Sequence, residues 1–111
     1  MLKSASTKTI YQLLVSLRGI EPSIWRRLEV EDCCLSHLHR IIQAAMGWQN
    51  CHMHCFEIGD QKYTSDEAIG DLDWSSDNSI KLSEIVAEGH HSFIYTYDMG
   101  DHWEHTVTVE K

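Results

Sequence analysis

The strongest constraint on this chain is a change of hydrophobic period near residue 33, from two to the spacing of a helix. In TIYQLLVSLR (9–18), Tyr11, Leu13, Val15 and Leu17 fall on one side, which predicts a half-buried strand. Gly19 to Ser23 contains the only proline, Pro22, and reads as a turn. In IWRRLEVE (24–31), Ile24, Arg26, Leu28 and Val30 share one face, while Trp25, Arg27 and Glu29 share the other. This predicts a second strand, antiparallel to the first. Leu35, Leu38, Ile41, Ile42, Ala45 and Met46 then recur at helical spacing, with Ser36 as the expected N-cap and Gly47 as the stop. His39 borders the apolar stripe, and His37, Arg40 and Gln43 are expected to face water.

A strand is expected over CHMHCFEI (51–58), with Gly59-Asp60 as a hairpin turn into QKY. Residues 64–81 are poor in apolar side chains and carry Asp66, Glu67, Asp71, Asp73 and Asp77. They read as a solvated loop anchored by Trp74. Leu82, Ile85 and Val86 predict a short helix ending at Gly89. SFIYTYD (92–98) and WEHTVTVE (103–110) predict two final strands around the turn Met99-Gly100-Asp101. The order strand-strand-helix-strand-strand-helix-strand-strand predicts an α+β fold: a mixed or antiparallel sheet with one main and one short helix.

The 111 residues suffice for one domain, expected over 9–111, with residues 1–8 disordered or extended. No apolar run approaches the roughly 20 residues of a membrane span. The start, MLKSASTKTIYQ, lacks the apolar stretch of a signal peptide. A cytoplasmic protein with no membrane partner is therefore expected. Its cysteines, Cys33, Cys34, Cys51 and Cys55, are then expected to be reduced thiols.

The net charge of −8 is uneven: residues 1–56 carry 6 basic and 4 acidic side chains, and residues 57–111 carry 3 and 13. Affinity for duplex DNA comes mainly from neutralising phosphates, so the second half would be repelled. Only Arg18, Arg26, Arg27 and Arg40 could offer a basic face.

Two constellations carry chemistry. CHMHC (51–55) holds two thiols and two imidazoles, which suit zinc by ligand type. In a strand, however, His52, His54 and Phe56 would share one face and Cys51, Met53 and Cys55 the other. The thiols are expected in a core beside Met53, because free cysteine is among the most buried residues. In YDMGDHWEH (97–105), Asp98 is expected to accept backbone N–H bonds in a tight turn, with Gly100 supplying positive φ. His105 lies on a mainly apolar face with Trp103, Val107 and Val109, which fits a hydrogen-bonded core histidine. The rival reading joins Asp101 and His105 to His52 or His54 in a polar cluster. The sequence has no nucleophile elbow, glycine-rich phosphate loop or calcium-loop pattern.

The order YQLLVSLRGIEPSIWRRLEV, LHRIIQAAMGW, HMHCFEIG, FIYTYDMGDHWEH resembles the plasmid pRiA4b ORF-3-like protein family, over roughly residues 9–110. Ile24-Trp25-Arg26-Arg27, Leu38-His39, Gly47-Trp48 and Tyr97-Asp98-Xaa-Gly100-Asp101-Xaa-Trp103-Xaa-His105 carry the match together. Met99 stands where phenylalanine is usual, and Cys51 and Cys55 lie outside the pattern. The resemblance implies a bacterial, plasmid- or mobile-element-associated α+β domain without established activity. Some relatives are resolvase-like transposon passengers. A serine resolvase needs a nucleophilic serine among arginines and a helical DNA-binding module, and this acidic chain shows neither. The resemblance also implies members longer than this chain, so it reads as a short member or the front part of a longer protein. In the latter case the last strand is expected to be open to another chain.

The reading that follows is a non-enzymatic binding or interaction domain, meeting a protein partner or a second copy through an edge strand and its acidic half. Two alternatives stand beside it. One is a metal-binding domain or metal-dependent enzyme, with a divalent ion on His39, His52, His54, Asp98, Asp101 and His105. The other is a mobile-element accessory protein touching DNA through Arg18, Arg26, Arg27 and Arg40, which the charge balance disfavours.

Overall fold

The computed structural model describes residues 9–70 and 73–111. The expected extended N-terminus, 1–8, and Asp71 lie outside the described residues. The elements run β1 (Ile10–Leu17), β2 (Ile24–Glu31), α1 (Leu35–Met46), β3 (His54–Ile58), β4 (Gln61–Thr64), α2 (Asp66–Ile69), β5 (Ser75–Ser76), α3 (Leu82–Ala87), β6 (Ser92–Tyr97) and β7 (Trp103–Val109). The strands form one mixed sheet in the order β2-β1-β7-β6-β3-β4-β5. All pairs are antiparallel except β4 with β5. The α+β architecture is as expected, with one strand and one helix more. Both additions lie in the segment read as a solvated loop. A two-residue strand and a single helical turn are too short to print a period.

The register explains where the core sits. Leu17 stands opposite His105, His105 opposite Tyr95, Tyr95 opposite Phe56, and Phe56 opposite Tyr63. One row therefore crosses five strands on a single face. Leu13, Val15, Val107, Val109 and Phe93 lie on the same face, and all are buried. Leu35, Leu38 and Ile42 of α1 and Leu82 and Ile85 of α3 belong to the same core. Both helices thus cover the face that the alternation of β1 and β7 marks as apolar.

The N-terminus of α1 is capped by main chain rather than by Ser36. Leu35 and Ser36 donate their N–H groups to the carbonyls of Ile80 and Asp77, and Cys34 bridges Lys81. Ser36 instead sits inside the first turn, its hydroxyl bonded to Asn78. Gly47 ends the helix in the left-handed conformation, φ 79°, as its position predicts. At α3, Ser83 N–H donates to Asp32 and Lys81 N–H to Glu84.

Three expectations are corrected. β3 begins at His54, so residues 51–53 precede it and Cys51 and Met53 are exposed. Of the two thiols only Cys55 is buried, on the face opposite the helices, while His54 and Phe56 point to the core. The last strand is interior, paired to β1 and β6. The edge on that side of the sheet is β2, beyond β1, where Ile24 and Trp25 are exposed. No described helix is long and apolar enough to cross a membrane.

Candidate functional site

His39, Gln43, Asn50, His54, Asp77 and Tyr95 meet where α1, the start of β3, the end of β5 and β6 come together. A closed circuit of hydrogen bonds joins four of them. Gln43 Nε2–H donates to the Tyr95 hydroxyl oxygen at 2.8 Å. The Tyr95 hydroxyl donates to His39 Nδ1 at 2.7 Å. His39 Nε2–H donates to Asn50 Oδ1 at 2.7 Å. Asn50 N–H returns to Gln43 Oε1 at 2.7 Å. The acceptor at Asn50 and the donor at Tyr95 fix His39 as the neutral Nε2–H tautomer. Burial, reinforced by His54, pushes its pKa down to about 4. Asn50 reaches this position from a left-handed backbone, φ 54°, which asparagine tolerates better than most residues.

His54 stacks on His39, ring centroids 3.6 Å apart. Its Nε2 is 2.6 Å from Asp77 Oδ2, and both side chains are buried. β5 delivers Asp77: its N–H donates to Thr64 O at 2.8 Å, and its carbonyl accepts from Ser36 N–H. The Thr64 hydroxyl donates to His54 O. The second carboxylate oxygen, Asp77 Oδ1, is buried and has no hydrogen-bond partner. Asp77 lines a cleft of about 680 Å³ whose walls also include His39, His54, Asn50, Arg40, Asp66 and Glu67.

The expected six-residue cluster is divided. His39 and His54 meet. His105 lies one row away, fully buried, and spends both nitrogens on structure. Trp48 Nε1–H donates to its Nε2 at 3.2 Å, and its Nδ1–H donates to Tyr95 O at 3.1 Å. Burial pushes its pKa down, so it is the hydrogen-bonded core histidine its strand face predicts. His52 is exposed, 3.7 Å from Asp98. Asp98 Oδ1 accepts the N–H groups of Gly100 and Asp101, as expected for the turn. The positive φ values fall on Asp98 and His102, however, and not on Gly100. The Asp101 side chain is exposed. Among the described residues, no group of three or more His, Cys, Asp or Glu is placed to hold a metal ion.

The arginines do not form one face either. Arg18 pairs with Glu104, Arg27 pairs with Glu110, and Arg26 donates to Trp25 O. Arg40 borders the cleft.

Asp77 and Gln43 are the residues of this cluster that the pattern misplaces. Asp77 is not a solvated loop acid, because β5 pins it under α1. Gln43 is buried, not turned to water. It stands four residues after His39, on the same helix face, and that spacing is the one local signal of their shared role.

The described chain matches known proteins along nearly its whole length. The sequence profile of the plasmid pRiA4b ORF-3-like protein family covers residues 9–111. The uncharacterized protein y4hQ of Sinorhizobium fredii is 38% identical over 105 residues, which are 93% of this chain and 54% of that protein. The crystal structure of MM3350, a protein of unknown function from Methanosarcina mazei Go1, superposes with a TM-score of 0.85 at 34% identity. It covers 96% of this chain and 61% of that one. The chain thus spans little more than half the length of these relatives. With Leu38-His39, Gly47-Trp48 and the Tyr97–His105 motif all built into one corner of the sheet, the chain belongs to the plasmid pRiA4b ORF-3-like protein family.

Proposed function

We propose that this domain is a non-enzymatic binding module that takes a small polar ligand over Asp77. The observation that carries the reading is Asp77, which lines the cleft and whose buried Oδ1 has no hydrogen-bond partner. An unmet buried acceptor costs about 1–3 kcal/mol, and a ligand donor arriving through the cleft removes that cost. Asp66, Glu67 and Asp77 outnumber Arg40 on the walls, which favours a ligand bearing an ammonium, amidinium or guanidinium group. The His39 circuit holds the neighbouring ring still, so the acceptor is already in place before the ligand arrives.

The test is an NMR titration of the 15N-labelled chain with ethanolamine, benzamidine and agmatine. Saturable shifts at Asp77, Asn78 and His54 are expected with at least one, and are expected to vanish in Asp77→Asn. No saturable shift at these residues with any of the three rejects the reading.

A second reading draws on the buried 2.6 Å contact of His54 with Asp77. A carboxylate that orients an imidazole supports acid–base chemistry. In that case the chain would turn over a substrate with a rate that His54→Gln abolishes while the fold is retained.

A further inference from the structure

Two of the motifs that together carry the family match border a second hollow, apart from the Asp77 cleft. Gly47-Trp48 leaves the end of α1, and Tyr97 to Trp103 forms the β6–β7 turn. Between them lies a space of about 380 Å³, bordered by Trp48, Tyr97, Trp103, Asp98 and Asp101. Cys51 and His52 border both this hollow and the larger cleft.

Three aromatic residues border the hollow, with Tyr97 buried and Trp48 and Trp103 half-buried. The Trp48 ring is 5.4 Å from Tyr97 and 5.8 Å from Trp103, with interplanar angles of 35° and 30°. Each ring is held in place. Trp48 donates to His105, the Tyr97 hydroxyl accepts Cys51 N–H at 2.7 Å, and Trp103 stands opposite Tyr97 in the sheet. Two carboxylates border the same space. Asp98 is locked in a left-handed conformation, φ 64°, and the two backbone N–H groups it accepts fix its carboxylate. Asp101 follows three residues later and is exposed.

Aromatic faces carry negative potential and attract cations, most effectively those with diffuse charge. Adjacent carboxylates add to that field and repel anions. Trp48 and Trp103 are only half-buried, so their surfaces remain available. We propose that this hollow binds an organic cation of the trimethylammonium type, with Trp48 and Trp103 as the aromatic wall, the buried Tyr97 backing Trp48, and Asp98 and Asp101 as the counter-charge. The proposal is independent of the ligand assigned to Asp77.

The probes are choline, its neutral carbon isostere 3,3-dimethyl-1-butanol, and a trimethyllysine peptide, each followed by tryptophan fluorescence and NMR. Choline or the peptide is expected to bind saturably, and the isostere about tenfold more weakly or worse than choline. Asp101→Asn, at an exposed side chain that the fold does not need, is expected to weaken cation binding severalfold. Trp103→Leu is expected to abolish it. Tighter binding of choline assigns the hollow to a free small molecule, and tighter binding of the peptide assigns it to a modified protein side chain. The proposal is overturned by equal binding of choline and its isostere, by no saturable response to choline or peptide, or by cation binding unaltered in both Asp101→Asn and Trp103→Leu.

Discussion

The imidazole rings of His39 and His54 lie face to face, centroids 3.6 Å apart and 12° from parallel. Two protonated rings at that distance would repel strongly in a buried setting. Their neighbours divide the roles. His39 is closed into a hydrogen-bond circuit and burial disfavours its charged form, while His54 faces the carboxylate of Asp77. The pair thus has one fixed neutral member and one member beside a negative charge.

His39 is held at about 4 in the fold, against about 6.5 for an unperturbed histidine. Between these values the unfolded chain binds more protons than the folded one, so stability falls as pH decreases. The contribution is fully present above about pH 6.5 and is lost as pH drops towards 4. His105 is lowered in the same direction by burial and steepens the trend. Melting temperature measured from pH 7.5 to 4 should fall, and should fall less steeply in His39→Gln. By NMR, the His39 Cε1 proton should not titrate above pH 5.

The circuit itself can be opened at Tyr95. Tyr95→Phe removes one hydroxyl and leaves both the Gln43 amide and His39 Nδ1 without a partner. Stranding buried polar groups costs about 1–3 kcal/mol each. Urea unfolding should register a loss of about 2–4 kcal/mol, larger than a hydroxyl deletion on the surface. A change below about 0.5 kcal/mol would mean the circuit does not contribute as described.

Most of this scaffold can be read from pattern, and most of the site cannot. The alternation in β1 and β7 locates the core face, because each second residue must point the same way. Gly47 marks the end of α1, because its left-handed backbone suits glycine. Asp77 shows no such mark. Its burial depends on Ser75 and Ser76 pairing in parallel with Tyr63 and Thr64, a contact between residues about a dozen apart with no apolar period. The histidines at 52 and 54 look equivalent in sequence. They part because the strand starts at His54, and strand starts are set by partners, here Tyr97, rather than by local composition. Residue type alone points Met53, Cys51 and Cys55 inward, whereas β3 turns His54 and Phe56 to the core.

Asp77 can be tested by stability as well as by binding. Asp77→Ala removes the acceptor of a buried imidazole N–H and should cost about 1–3 kcal/mol, the range for leaving a buried polar group without its partner. Asp77→Asn keeps an oxygen for His54 Nε2–H and should cost clearly less. Chemical denaturation of the two variants at pH 7.5 gives the order directly. If alanine were tolerated as well as asparagine, the hydrogen bond to His54 would not be holding β5 against β3.

The four free thiols differ in environment, and their reactivity should follow. Burial, then the neighbouring Cys34, pushes Cys33 up to about 11, and burial pushes Cys55 up to about 11. The Ser36 hydroxyl, 3.1 Å away, lowers the pKa of Cys34. Cys51 is exposed. Only the thiolate attacks an alkylating reagent, and at pH 8 a thiol with a pKa near 11 is about one thousandth ionised. Iodoacetamide at pH 8, with peptide mass spectrometry over time, should label Cys34 and Cys51 early and Cys33 and Cys55 only on unfolding. Early labelling of Cys55 would place β3 away from the sheet for part of the time, and with it His54, whose contact with Asp77 depends on that strand.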